Sequence, residues 1–201
     1  MSILLGQERF GSVKKVQSKS EKKGLSAATI CQVALTAAMI CVLSMVSIPL
    51  PLGVPITLQT TAVCLAGIVL GQKKGTAAAA VYLMLGAAGL PVFSGMSGGF
   101  AKLLGATGGF LWGFPAMASL AGLGASNGKK WGMALGLLMA IIVDYSLGLA
   151  QFMLVTGSSI QAGLMACVIP FLPIETVKAV VTGMLGYQLR GRFQKRGSNA
   201  G

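Results

Sequence analysis

Four ionisable side chains stand apart from the other charges of this chain: Lys102, Asp144, Glu175 and Lys178. Glu175 and Lys178 lie in the run PFLPIETVKAVV (170–181) and Asp144 lies in an apolar stretch over 131–155. At the centre of a bilayer a charged residue costs about 2.5–3.5 kcal/mol on insertion scales, so such groups are functional candidates by default. Three residues apart on a helix, Glu175 and Lys178 project from nearly one face. Pro173 suits the first helical turn, and an acid there complements the helix dipole. Two readings follow: a self-neutralising pair that lets the helix sit beside another, or a polar site for a ligand. In the second, a carboxylate accepts from the N–H groups of a cyclic urea or amide, and an ammonium donates to a carbonyl or carboxylate. Asp144 is placed to neutralise Lys178 and leave Glu175 free. Gln59, Tyr82, Tyr145 and Gln151 add amides and hydroxyls. Histidine is absent, and neither a Ser–His pair nor an acidic metal motif occurs. General-base and metal chemistry are therefore poorly supplied. A binding pocket is expected rather than an enzyme, with no metal and no cofactor.

The solvent around these groups follows from composition. Of 201 residues, 54% are hydrophobic and 10% charged, with mean hydropathy +0.79. Soluble domains carry about 25% charged residues, so this is an all-α membrane protein in expectation. The net charge of +12 comes in short clusters between apolar runs, which points to membrane orientation and not to nucleic acid. Cys31, Cys41, Cys64 and Cys167 form no CxxC pair, so neither a disulfide framework nor a metal site is expected. The apolar run Ile3–Leu5 is too short for the ~7–15-residue core of a signal peptide.

Six spans are read from the apolar runs: near 28–47, 57–71, 75–90, 110–125, 131–155 and 173–189. Several fall short of the ~20 residues a perpendicular span needs. With six spans, fourteen of the sixteen Lys and Arg lie on one side, which places both termini in the cytoplasm. The resulting division is a basic tail over 1–26, a six-helix domain over 27–190 and a second basic tail over 191–201. The opposite connections, 48–56, 91–109 and 156–172, are long, Gly-rich and apolar, and are read as lids over an outward-facing pocket. By helix rise, Asp144, Glu175 and Lys178 then belong to the outer half of the membrane, beneath Lys102 in the second lid. The small-xxx-small pairs Ala34–Ala38, Gly67–Gly71 and Gly132–Gly136 permit close helix approach and, taken alone, are read as internal packing. No GxxxxGK[ST] loop is present, so any ATP-driven motor is another chain.

Three stretches, PLPLGVPITLQTTAVCLAGIVLGQKKG (49–75), GLPVFSGMSGGFAKLLGATGGFLWGFP (89–115) and PFLPIETVKAV (170–180), resemble the BioY family. These are the biotin-specific substrate-binding components of energy-coupling-factor (ECF) transporters. The resemblance covers about residues 28–190. It implies a six-helix membrane fold with a vitamin pocket near the outer face, biotin as ligand, a transmembrane coupling (T) subunit and a pair of cytoplasmic ABC-type ATPases. It implies that Ala34 and Ala38 contact the coupling subunit. It also implies that Phe93, Ser97 and Gly98 lie near the ligand and that Lys102 meets the ligand carboxylate. Lys178 matches the lysine of the family's P-x-D-x-x-K pattern, while Glu175 stands where Asp is usual. Ala106 and Phe110 stand where Pro and Tyr are common. The rival expectations are another vitamin as ligand, or a self-sufficient facilitator without ATPases.

Overall fold

A computed structural model describes residues 26–48 and 55–198. The chain divides into two units, 1–31 and 32–201; the first is represented only by its last six residues, and the packing that forms the site lies within the second. Apart from Ser26, the basic tail expected over 1–26 lies outside the described residues, as does the tip of the first outer connection, 49–54.

Eight α-helices carry the described chain. Helix α1 (Ala27–Met45) contains no charged residue. A two-stranded antiparallel ribbon follows, β1 (Ser47–Ile48) with β2 (Ile56–Thr57), in the register Ser47 to Thr57 and Ile48 to Ile56. Helices α2 (Gln59–Leu70) and α3 (Gln72–Ala87) are separated only by Gly71, whose φ of +82° is open to glycine and strained for other residues. A 3-10 turn at Ser94–Met96 leads to α4 (Phe100–Leu104), then to α5 (Gly108–Ala125) and α6 (Lys130–Thr156). Gly157 ends α6 in the left-handed conformation, a common helix stop. The Ser159 side chain accepts from the Ala162 amide to start α7 (Ile160–Cys167), and α8 (Leu172–Ser198) closes the fold.

The connections read as outer lids depart from the sequence expectation. They are not plain loops: 91–109 contains α4 and 156–172 contains α7. Gly-rich apolar composition looks alike in a lid loop and in a short helix, so the two were indistinguishable by pattern. Helix α8 also runs on to Ser198, through most of the stretch read as a separate tail. Among the described residues α1 and α6 are long and apolar enough to cross a bilayer, and α7 with α8, bent by 51°, count together as a third such element. Helix α2, with 12 residues, is only about 18 Å long against a ~30 Å hydrocarbon core.

Helix α5 is the post around which the others are set. Along its seam with α6, glycines at three levels let the backbones come close. A Cβ on Gly109 would lie 2.9 Å from the Gly148 Cα, one on Gly113 3.2 Å from the Asp144 Cα, and one on Gly124 2.6 Å from the Gly136 Cα. On its other side Gly122 faces α3, where a Cβ would sit 2.7 Å from the Gln72 Cα, and Gly67 of α2 presses on the Ala118 carbonyl. The expected internal role therefore holds for Gly67 and Gly136, whereas Gly71 is a turn residue with open space around it. Ala34 and Ala38 are exposed on α1, while Ala37, Ile40, Cys41 and Ser44 face inward. The reading of the Ala34–Ala38 pair as internal packing is corrected by that rotation of α1.

Overpacking of a tight core typically costs about 1–3 kcal/mol. Gly124→Ala is expected to lower the unfolding temperature in detergent by an amount of that order. Gly191→Ala, with nothing within 4 Å of its Cβ position, is expected to leave it unchanged or slightly higher.

Candidate functional site

Near the ends of α5, α6 and α8 most distant from the α5–α6 turn lies a cavity walled by all three, by the first turn of α2 and by the segments around Phe93 and α4. Its volume is about 80 Å³, below the roughly 300–1,000 Å³ usual for small-ligand pockets. Filling it with a ligand of that class requires its roof to move outward.

Helix α8 supplies the charged wall. Lys178 Nζ pairs with Glu175 Oε2 at 2.8 Å, as their spacing predicts, and also donates to the Thr60 hydroxyl at the start of α2. Glu175 is buried and Lys178 half-buried. The Thr60 contact ties the cationic end of the pair to a second helix and fixes its direction.

Asp144 behaves differently from the sequence expectation. It lines the same cavity, is fully buried, and neither carboxylate oxygen has a hydrogen-bond partner among the described residues. The Lys178–Glu175 pair is the one ion pair among those residues. So Asp144 does not neutralise Lys178; Glu175 does, and the free acceptor is Asp144. The cause is local geometry, since a residue three positions away on the same helix reaches Lys178 first. Gly113 of α5 makes room for the Asp144 carboxylate, which occupies the space a Cβ there would need. Buried polar groups are nearly always paired, and an uncompensated buried carboxylate is strongly unfavourable, so this one marks a place where a donor is missing.

The remaining walls are apolar with oriented polar points. Gln59 donates through Nε2 to the Tyr82 hydroxyl at 2.7 Å, and Thr57 donates to Gln59 Oε1 at 3.0 Å, so the amide is held in one orientation. Phe93 is buried edge-on against Tyr82, with ring centroids 5.5 Å apart, in the space left by Gly86. Phe110 meets Tyr145 edge-on at 5.7 Å, with Gly148 beneath it.

Lys102 reaches the cavity from α4 and has no ion-pair partner among the described residues. The C-terminal end of its helix is held by side chains of α5 and α6. Gln151 of α6 donates to the Leu103 and Gly105 carbonyls at 2.7 and 2.8 Å, and Trp112 of α5 donates to the same Leu103 carbonyl at 3.2 Å.

The cavity thus brings together Glu175, Lys178, Asp144, Phe93 and Lys102. It leaves out Ser97 and Gly98. Ser97 closes its own turn, donating to the Ser94 carbonyl at 2.8 Å and accepting from the Phe93 amide, and Gly98 lies against the Leu90 carbonyl. Both hold the loop that positions Phe93. Of the two residues that depart from the family pattern here, Phe110 lines the cavity and Ala106 does not. Thr60 was missed by sequence reasoning because its tie to Lys178 spans 118 positions and carries no local signature. Gln151 was noted only as a polar group, its role as a fastening likewise depending on chain folding.

The BioY family model matches residues 16–195. A protein of Pyrococcus horikoshii described as a probable biotin transporter BioY is 35% identical over 167 residues, 83% of this chain and 99% of that one. The biotin transporter BioY of Rhodobacter capsulatus is 38% identical over 167 residues, 76% of this chain and 88% of its own. A crystal structure of the S-component for biotin from an ECF-type ABC transporter superposes with a TM-score of 0.74 at 27% identity, covering 84% of this chain and 95% of that one. With matches of this extent in both sequence and fold, the chain belongs to the BioY family.

Proposed function

We propose that this protein binds biotin and takes it up across a membrane as the substrate-specific S component of an ECF-type transporter. It is a transport protein and not an enzyme. The observation that carries the site assignment is the unpartnered Asp144 carboxylate in the same cavity as the Lys178–Glu175 pair. A cyclic urea offers two N–H donors and one carbonyl. Asp144 and Glu175 accept from the N–H groups, Lys178 donates to the carbonyl, and the aromatic walls of Phe93, Phe110 and Tyr145 hold the fused ring and the aliphatic chain. Lys102, in the roof, meets the ligand carboxylate.

The protein is multi-pass in the cell membrane, with six spans over the 27–190 domain and both termini in the cytoplasm. Several contacts support this by gathering the basic ends. Lys74 donates to Gln32 at 2.8 Å, joining the start of α3 to α1, and Arg190 reaches the Ser126 carbonyl beside Lys129 and Lys130 at 3.3 Å. The short α2 is accommodated by local thinning or by the fold around it. The coupling subunit docks on the exposed Ala34 and Ala38 of α1, and the pair of ATPases supplies the energy that this chain has no motif to supply. The basic tails flank the six-helix domain on the cytoplasmic side.

Equilibrium biotin binding in detergent tests the assignment. Charge-assisted hydrogen bonds contribute about 1.5–3 kcal/mol, so Asp144→Asn is expected to weaken biotin binding roughly 10- to 100-fold. The same substitution removes a buried, unpaired carboxylate and is expected to raise the ligand-free unfolding temperature. Unchanged affinity would remove Asp144 from the site. Lys102→Met is expected to weaken biotin by a similar factor while leaving the methyl ester of biotin unaffected; an equal loss for both ligands would show that Lys102 does not read the carboxylate. Gln151→Leu frees the Gly105 carbonyl and removes two of the three side-chain hydrogen bonds that hold the end of α4. It is expected to accelerate biotin release in stopped-flow measurements with little change in unfolding temperature.

A further inference from the structure

A second, larger cavity of about 580 Å³ runs along the outside of the bundle between α6 and α8. Its middle is apolar, with Leu138 and Ile141 on one side and Val180 and Met184 on the other, while Glu175 and Thr176 line the end away from Lys130. From Lys130 to Ile141 it follows α6 for about 16 Å, the depth of one leaflet's share of a ~30 Å core. Along its floor the two helices touch: a Cβ on Gly183 would lie 3.5 Å from Leu137 Cδ1. That leaves an apolar slot along the helix pair that a hydrocarbon chain can fill.

The two ends of the slot differ in charge. At one end Lys130 holds its ammonium 5.2 Å from the centre of the Tyr187 ring, with Lys129 next to it and Arg190 reaching the adjoining turn at Ser126. Neither Lys129 nor Lys130 has an acidic partner among the described residues. An apolar slot closed at one end by unpaired cations is complementary to a single molecule that is anionic at its head and hydrocarbon behind it. Basic pockets between membrane helices recognise acidic lipid head groups.

We infer that the α6–α8 slot is a binding site for an anionic phospholipid, with one acyl chain between the helices and the phosphate at Lys130. The slot shares Glu175 with the first cavity as a common wall, but its head-group end at Lys130 lies outside that cavity, and its test does not depend on biotin. The purified full chain in detergent is titrated with phosphatidylglycerol and, separately, with phosphatidylcholine of the same acyl chains, and adducts are read by native mass spectrometry. Wild type is expected to retain phosphatidylglycerol and not phosphatidylcholine. Lys130→Gln is expected to weaken phosphatidylglycerol about fivefold, and Gly183→Leu, which fills the slot, to abolish its retention. Ala179→Met fills the same slot one turn away and serves if Gly183→Leu lowers the unfolding temperature. Equal retention of the two lipids by wild type, or phosphatidylglycerol retention unchanged in both the head-group and slot-filling variants, overturns the inference. If filling the slot leaves lipid retention intact but strips a co-expressed coupling subunit, the slot is a protein interface and the inference also falls.

Discussion

The arrangement depends on contact between bare backbones. Where α5 meets α6, at the levels of Gly109, Gly113 and Gly124, no side chain intervenes on the α5 face. Dispersion between closely approached backbones replaces the hydrophobic drive that is missing when the surroundings are as apolar as the side chains. The seam also sets the depth of the site. Asp144 can be fully enclosed because Gly113 gives up the volume its carboxylate needs. A wider seam would let lipid or water reach that carboxylate and remove the reason for its unusual state.

Helix α8 is secured differently, by directed contacts to α2 at several heights: Lys178 to Thr60, Gly186 over Ile68, and Arg190 to the Ile68 carbonyl. The cavity is thus walled by helices that are each tied to their neighbours. One carboxylate, that of Glu175, is satisfied within the protein and presents a settled geometry. The other, that of Asp144, has no hydrogen-bond partner among the described residues. Sites that bind tightly often store such local instability, because the ligand relieves what the fold cannot.

Much of this was legible in the chain where interactions are local. The apolar runs located the starts of the longer helices to within a few residues, the Glu175–Lys178 spacing offered the ion pair as one of two readings, and Lys102 was placed at the same end of the molecule as the pair. What escaped was rotation and neighbourhood. Whether Asp144 or Glu175 satisfies Lys178, and whether Ala34 faces inward or outward, depends on how each helix is turned about its axis. Periodicity is silent on this in segments that are apolar all round. Helices α4 and α7 escaped for another reason: each is eight residues or fewer and set in glycine-rich sequence, where propensity argues against a helix and tertiary contacts decide. Ser97 and Gly98, carried over by motif, shape the loop that positions Phe93 and are not among the residues lining the cavity.

The hydrogen bond from the Trp112 indole to the Leu103 carbonyl has an optical consequence. The chain has two tryptophans. Trp131 stands at the start of α6, 87% exposed, at the opposite end of that helix from the cavity. Trp112 is bonded directly to the short helix that carries Lys102. Breaking or lengthening that bond changes the polarity felt by one indole and leaves the other as an internal reference. The protein therefore carries a native fluorophore on α5 whose indole is bonded to the short helix over the cavity, so a displacement of that helix would be read in its emission without any label.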